Sequence, residues 1–249
     1  MKRGQLAFQQ SIKCIKMLKK TIKPSSKGLK TAIIRFLVYG IIIYLIAEFL
    51  KWNVKHETGQ NKFTEDSMVE AVQSIILLAC SLIYLRVSFK YKSIFPLAFG
   101  LFAFTFASLI REQDAFLDEH IYDGAWQTAA FSLLILAAVL IYRKKDIFLS
   151  NMNDFAPKFS FGILLSGIFT TYIFARLYGR KVFWMAVMEA QYARDVKNVS
   201  EESLELFGYA LILIASIEFY YFAKANHIIA VRNNEETINQ PNVYLKVGS

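Results

Sequence analysis

The chain has little chemistry to spare. It holds two cysteines and three histidines, and only 20% of its 249 residues are charged. Cys14 lies in a basic arm and Cys80 inside an apolar run, so no disulfide framework is expected. The alternation of spans puts His227 on the opposite membrane face from His56 and His120, which excludes three-histidine zinc. His56 and His120 fall in connections without ligand spacing, so no metal and no cofactor is expected. The sequence contains no G-x-S-x-G, H-E-x-x-H, Walker loop or dinucleotide fingerprint. Basic residues do not interleave with stacking aromatics, which excludes nucleic acid. Alternating strand segments are missing too, and no A-x-A cleavage site follows the first apolar run, so that run is expected to stay as a span.

What the chain has is grease. It is 55% hydrophobic, with 22 Phe and 13 Tyr. Its apolar runs approach the ~20 residues that cross a bilayer as helix. Backbone satisfaction in lipid then dictates an all-α fold, a polytopic transmembrane bundle. Six spans are expected, at about 31–50, 67–86, 94–111, 126–143, 159–179 and 203–224. The run "VFWMAVMEAQY" at 182–192 is too short to cross and reads as an interfacial or re-entrant helix. Three regions result: a basic arm at 1–30, a six-span domain at 31–225 and a polar tail at 226–249.

The arm carries nine basic residues and no acid. Phe8, Ile12, Ile15 and Leu18 recur at helical spacing, the pattern of an amphipathic helix on an anionic leaflet. Alternating the spans places nineteen Lys and Arg on the arm's side and nine on the other, with Arg35 just inside the first span. By the positive-inside bias, both termini are cytoplasmic. Fifteen of the twenty acids then fall at the opposite face, although they played no part in drawing the map.

Three stretches concentrate that acid. "EDSMVEAVQS" puts Asp66, Glu70 and Gln73 on one helical face at the start of the second span. A carboxylate one turn inside a span faces the bundle unless it serves the helix N-terminus. "REQDAFLDEHIYDGAW" follows the third span. If helix continues there, Arg111, Asp114 and Asp118 share a face, and Arg111 is free to clamp a carboxylate or phosphate in a bidentate pair. Gly124 marks a turn and Trp126 an interface aromatic. "SEESLELFGY" opens the last span, where Ser200 reads as a cap with Glu201 and Glu202 in the first turn. Glu205 lies one turn deeper on a face with Tyr209, and Gly208 leaves room for a neighbouring helix. Gly162/Ser166 and Gly167/Thr171 read as packing faces. Deeper still, Arg35 and Glu218 occupy similar depths and suggest a buried ion pair. "NVS" at Asn198 matches a glycosylation sequon.

"E-x-x-Q", "REQD" with "GAW", and "EESLELFGY" together resemble a family of small bacterial multi-pass inner-membrane proteins with no assigned activity. The resemblance covers about residues 65–220 and falls on Glu70, Gln73, Arg111, Glu112, Asp114, Gly124, Trp126, Glu202 and Glu205. It implies a bacterial cytoplasmic membrane and contributes no reaction.

The expected function is a membrane protein with a carboxylate–arginine site at the non-cytoplasmic helix ends. Glu70, Gln73, Arg111, Glu112, Asp114, Asp118, Trp126, Glu202 and Glu205 are its candidates. Such a site suits a lipid headgroup, small polar ligand or cation. The alternatives are a lipid-modifying enzyme using a carboxylate pair, a proton- or cation-coupled transporter, and a structural subunit of a membrane complex. The partners expected are the bilayer, anionic lipid at the arm and the ligand itself.

Overall fold

The computed structural model describes residues 26–56 and 67–239. The arm through residue 25 with Cys14, Asp66, and tail residues 240–249 lie outside the described residues. Every regular element among those described is helical, with no strand. Among the described residues, six helices are long and apolar enough to cross a membrane: Gly28–His56, Met68–Lys90, Lys92–Glu112, Ala125–Arg143, Phe159–Tyr178 and Arg194–Ile229. The six expected runs map onto these one for one.

The chain divides into two units, Met1–Tyr44 and Leu45–Ser249. The boundary falls within the first helix, α1 (Ser26–His56). In the first unit, α1 shows large apolar side chains such as Ile34, Phe36 and Leu37 on its surface. Arg35 on this stretch is half-buried.

In the second unit, Ile46, Phe49, Leu50 and Val54 of α1 pack around Val69 and Leu206. Helix α2 (Met68–Lys90) opens with Ser67, whose hydroxyl accepts the Glu70 N–H at 3.3 Å. This is half of a capping box with Glu70 at its third position, a signal passed over in the sequence. Helix α3 (Phe95–Glu112) carries Pro96 in its first turn, where the missing N–H costs nothing. It ends at Gln113, which leaves the helical region at φ −108°, ψ 23°. A short helix, α4 (Asp114–His120), follows, and Gly124 at φ +85° turns the chain into α5 (Ala125–Arg143). Gly124 takes the left-handed conformation that glycine adopts without strain. Helix α6 (Lys145–Phe155) links α5 to the fifth span, which comprises α7 (Phe159–Ile168), a π-helical segment (Phe169–Ala175) and α8 (Arg176–Tyr178). The stretch expected to be interfacial forms α9 (Lys181–Met188), too short to cross. The last helix, α10 (Arg194–Asn239), runs 46 residues.

Helix α10 packs against α2 on one side and against α7 and the π segment on the other, while α3 bridges α2 and α5. The core between them is aromatic: Phe155 stands edge-on to Phe219 at 5.0 Å, and Tyr84 edge-on to Phe219 at 5.4 Å. Between spanning helices such van der Waals packing replaces the hydrophobic drive, because lipid tails are as apolar as the core. Outward faces carry Ile75, Phe131, Ile135 and Phe169, all exposed and suited to lipid.

Small residues set the tightest crossing. A Cβ on Gly167 would lie 2.8 Å from the Gly208 carbonyl oxygen, and one on Gly208 would overlap the Thr171 hydroxyl. The Gly167/Thr171 pair therefore packs against Gly208, as the spacing implies. Gly162 and Ser166 are exposed, and a Cβ on Gly162 would meet nothing within 4 Å, so that pair is no packing face within this chain.

Candidate functional site

Antiparallel packing gathers the start of α2, the end of α3, the end of the fifth span and the N-terminal third of α10 at one end of the bundle. Gln73, one turn into α2, is fully buried. Its amide donates to the Glu202 carboxylate at 2.9 Å and to the Glu202 carbonyl at 3.3 Å, tying α2 to α10.

Arg111, in the last turn of α3, is the hub. Its guanidinium donates to Glu112 beside it, to Glu205 at 3.5 Å and to the Tyr209 hydroxyl at 3.4 Å. Tyr209 in turn donates to the Glu112 carboxylate at 2.7 Å, closing a ring of three groups to which Glu205 is tied through Arg111. Glu205 is 3% exposed, so its charge is held by protein rather than water. A second arginine reaches it: Arg176 Nη2 lies 3.3 Å from Glu205 Oε1, and Arg176 Nη1 lies 3.5 Å from Glu201. Lys197, one turn earlier on α10, pairs with Glu201 at 2.6 Å. The Thr171 hydroxyl, at the glycine crossing, donates to the Glu205 carbonyl at 3.5 Å.

Glu70, Glu112, Glu201, Glu202 and Glu205 thus face Arg111, Arg176 and Lys197, and acid outnumbers base. Glu70 is half-buried and close enough to Glu202 to act on it electrostatically. Three buried polar atoms in the cluster lack a hydrogen-bond partner among the described residues: Gln73 Oε1, Arg111 Nε and Glu205 Oε1. Glu205 Oε1 has only the ionic contact from Arg176. Native interiors rarely leave such atoms unmatched, since each costs about 1–3 kcal/mol.

Of the candidates named from sequence, Glu70, Gln73, Arg111, Glu112, Glu202 and Glu205 come together. Asp114, Asp118 and Trp126 do not. The break at Gln113 undoes the shared face of Arg111, Asp114 and Asp118. Asp114 is exposed and accepts its neighbour's N–H, from Ala115, at 2.7 Å. Asp118 accepts the Gly124 N–H at 3.0 Å and so serves the turn. Trp126 is half-buried in the first turn of α5. No hydrogen bond or ion pair joins these three to the cluster among the described residues.

The expected cap at Ser200 is also corrected. Helix α10 starts at Arg194, and the Ser200 hydroxyl donates to the Val196 carbonyl at 2.7 Å from inside the helix. Glu201 and Glu202 therefore sit two turns in and are engaged by Lys197, Arg176 and Gln73. Asn198 of the sequon is buried, which argues against glycosylation in this fold. Arg176 and Lys197 were not singled out from sequence. Their available signal was position: both fall on the acid-rich side of the charge map, close to the ends of apolar runs.

Among the described residues, no group of three or more His, Cys, Asp and Glu side chains is arranged to hold a metal ion. His56 and His120 turn back on their own helices, with Nδ1 at 2.8 Å from the Trp52 carbonyl and 2.9 Å from the Phe116 carbonyl. Glu218 is buried on α10, in the second unit.

No protein-family model matches the chain, and no curated protein or solved structure matches it either.

Proposed function

We propose that this multi-span membrane protein holds a small polar ligand, a lipid headgroup or a cation at the Arg111–Glu205 cluster, on the non-cytoplasmic side. The supporting observation is the buried, mutually paired set from four helix ends, with Gln73 Oε1, Arg111 Nε and Glu205 Oε1 still unmatched. Stability alone is a poor reason to keep such a set. Buried ion pairs are matched or bettered by apolar residues of similar volume, because desolvation consumes the Coulombic gain. Ionisable groups inside spanning helices are accordingly functional by default. The excess of glutamate favours a ligand with a positively charged group, such as an ammonium, over a purely anionic one. The Lys and Arg distribution along the chain supports the sidedness.

The test is native mass spectrometry of the protein in nanodiscs made from its expression host's lipids. Wild type is compared with Arg111→Ala and with Glu205→Gln, which keeps size and removes charge. A bound lipid or metabolite present in wild type and lost from both variants supports the reading and names the ligand. Identical profiles across all three refute it. Reporter fusions after Lys90 and after Gln191 check the sidedness, with only the first expected in the cytoplasm.

A further inference from the structure

The unmatched atoms at the cluster are of two kinds, and together they specify a ligand. Gln73 Oε1 and Glu205 Oε1 are acceptors, whereas Arg111 Nε carries a hydrogen and is a donor. The Gln73 amide has one orientation that works. Its nitrogen gives both hydrogens to Glu202, at 2.9 Å and 3.3 Å, which leaves the carbonyl oxygen over. Gln73 is fully buried and Glu205 nearly so, out of reach of bulk water. Glu202 adds a charge to these acceptors. Among the described residues, Glu201 pairs with Lys197 and Arg176, Glu112 with Arg111, and Glu205 with both arginines. The Glu202 carboxylate meets no cation there, only the Gln73 amide. Glu202 and Glu205 stand three residues apart on α10, neighbours on one helical face. Three acceptors, two of them carboxylates, are thus grouped within one turn of α10.

That grouping matches a primary ammonium, which has three N–H donors and no acceptor. A quaternary ammonium has no N–H and would satisfy none of the three. A bare metal cation meets a different obstacle. Arg176 Nη2 lies 3.3 Å from Glu205 Oε1 and Arg111 Nη2 lies 3.5 Å from Glu205 Oε2, so a metal there faces two guanidiniums with nothing to offset them. A ligand that also carries an acidic group removes the conflict, because its anionic oxygens accept from Arg111 Nε. Exposure gives the direction. The Arg111 and Arg176 side chains are 27% and 45% exposed at the rim, with Glu205 buried beneath them. The ammonium therefore points inward and the acidic group stays at the rim.

We propose that the ligand is a primary-ammonium zwitterion, its ammonium among Gln73 Oε1, Glu202 and Glu205 and its phosphate or carboxylate on Arg111. This rests on the ligand reading above and narrows it to one chemical class. Two sources carry that chemistry: the headgroup of an ethanolamine phospholipid, and a free zwitterion such as phosphoethanolamine.

Two arms separate these sources, both on the full chain. In phosphatidylglycerol nanodiscs holding equal amounts of phosphatidylethanolamine and phosphatidylcholine, native mass spectrometry reads which lipid stays bound. In maltoside micelles, thermal shifts follow titration with phosphoethanolamine, phosphocholine, ethanolamine or calcium chloride. A lipid source should favour the ethanolamine lipid over the choline lipid by about tenfold or more, the effect of one lost charge-assisted hydrogen bond. A free source should give phosphoethanolamine the same advantage over phosphocholine, ethanolamine and calcium. Glu202→Gln still accepts from Gln73 but lacks the charge, and Gln73→Met lacks the third acceptor. Either variant, if its helical circular dichroism is unchanged, should reduce the preference below about threefold. Asp114→Asn, exposed and apart from the cluster, should keep it. A preference in one arm that these variants abolish supports the proposal and identifies the source. Equal binding of ethanolamine and choline compounds in both arms overturns it, as does calcium or ethanolamine matching phosphoethanolamine, or a preference that survives in a folded variant. A host lipid or metabolite that depends on Arg111 and Glu205 yet has no N–H group also sinks this inference, while leaving the ligand reading intact.

Discussion

The crossing of α10 over the fifth span offers a decisive perturbation: Gly208→Ala. In an exposed helix interior, exchanging glycine for alanine stabilises by about 1 kcal/mol through propensity alone. At Gly208 the added methyl would overlap Thr171 Oγ1 and lie 3.0 Å from both the Thr171 nitrogen and the Gly167 carbonyl oxygen. The hydroxyl is able to rotate aside, but the two backbone atoms are not. Helix α10 must therefore retreat by several tenths of an ångström, overpacking that costs about 1–3 kcal/mol. The retreat also stretches the Thr171–Glu205 bond, already 3.5 Å long. Gly162→Ala is the matched control, on the same span with nothing within 4 Å. The propensity gain is common to both variants, so they should differ by about 1–3 kcal/mol in unfolding free energy, with Gly162→Ala the more stable. Unfolding in mixed micelles followed by helical circular dichroism measures this. Gly208→Ala/Thr171→Ala should recover part of the loss, because only the hydroxyl clash is relieved. A Gly208→Ala protein as stable as Gly162→Ala would refute the close crossing and the placement of Glu205 that depends on it.

Tyr209→Phe removes the hydroxyl that binds Glu112 and receives Arg111 while leaving the ring in place, so stability should fall by about 1–2 kcal/mol in the same micelle assay. Asp114→Ala and Asp118→Ala should separate: the exposed Asp114 should change stability by no more than about 0.5 kcal/mol, whereas Asp118→Ala loses the turn bond to Gly124 and should cost about 1 kcal/mol.

The spans were legible because bilayer thickness fixes the length of an apolar run. The fifth, expected at 159–179, is Phe159–Tyr178, and the fourth, expected at 126–143, is Ala125–Arg143. The last helix begins at Arg194 rather than near residue 203, because "RDVKNVSEE" is helical without being apolar, and hydropathy is blind to a polar extension. That is why Ser200 read as a cap. At the cluster, Gln73 and Glu205 were legible from their depth: polar groups one turn inside a span must find partners. Asp114 was misplaced because a single backbone rotation at Gln113 decides whether Arg111 and Asp114 share a face, and no residue there forces or forbids it. Arg176 belongs to Glu205 only through the glycine crossing, a tertiary fact that spacing along the chain does not contain.

The wide-turned segment at Phe169–Ala175 has a consequence for the phase of the fifth span. A π turn accommodates one residue more than an α turn, so it offsets everything after it by about 100° relative to an uninterrupted α-helix. Thr171 meets α10 at the glycine contact, and Arg176, beyond the offset, meets the same helix at Glu205. A helix of uniform pitch would let one of these residues face α10 only by rotating the other away. The added residue thus works as a spacer in angle, keeping the anchoring contact and the charged contact in register on one partner.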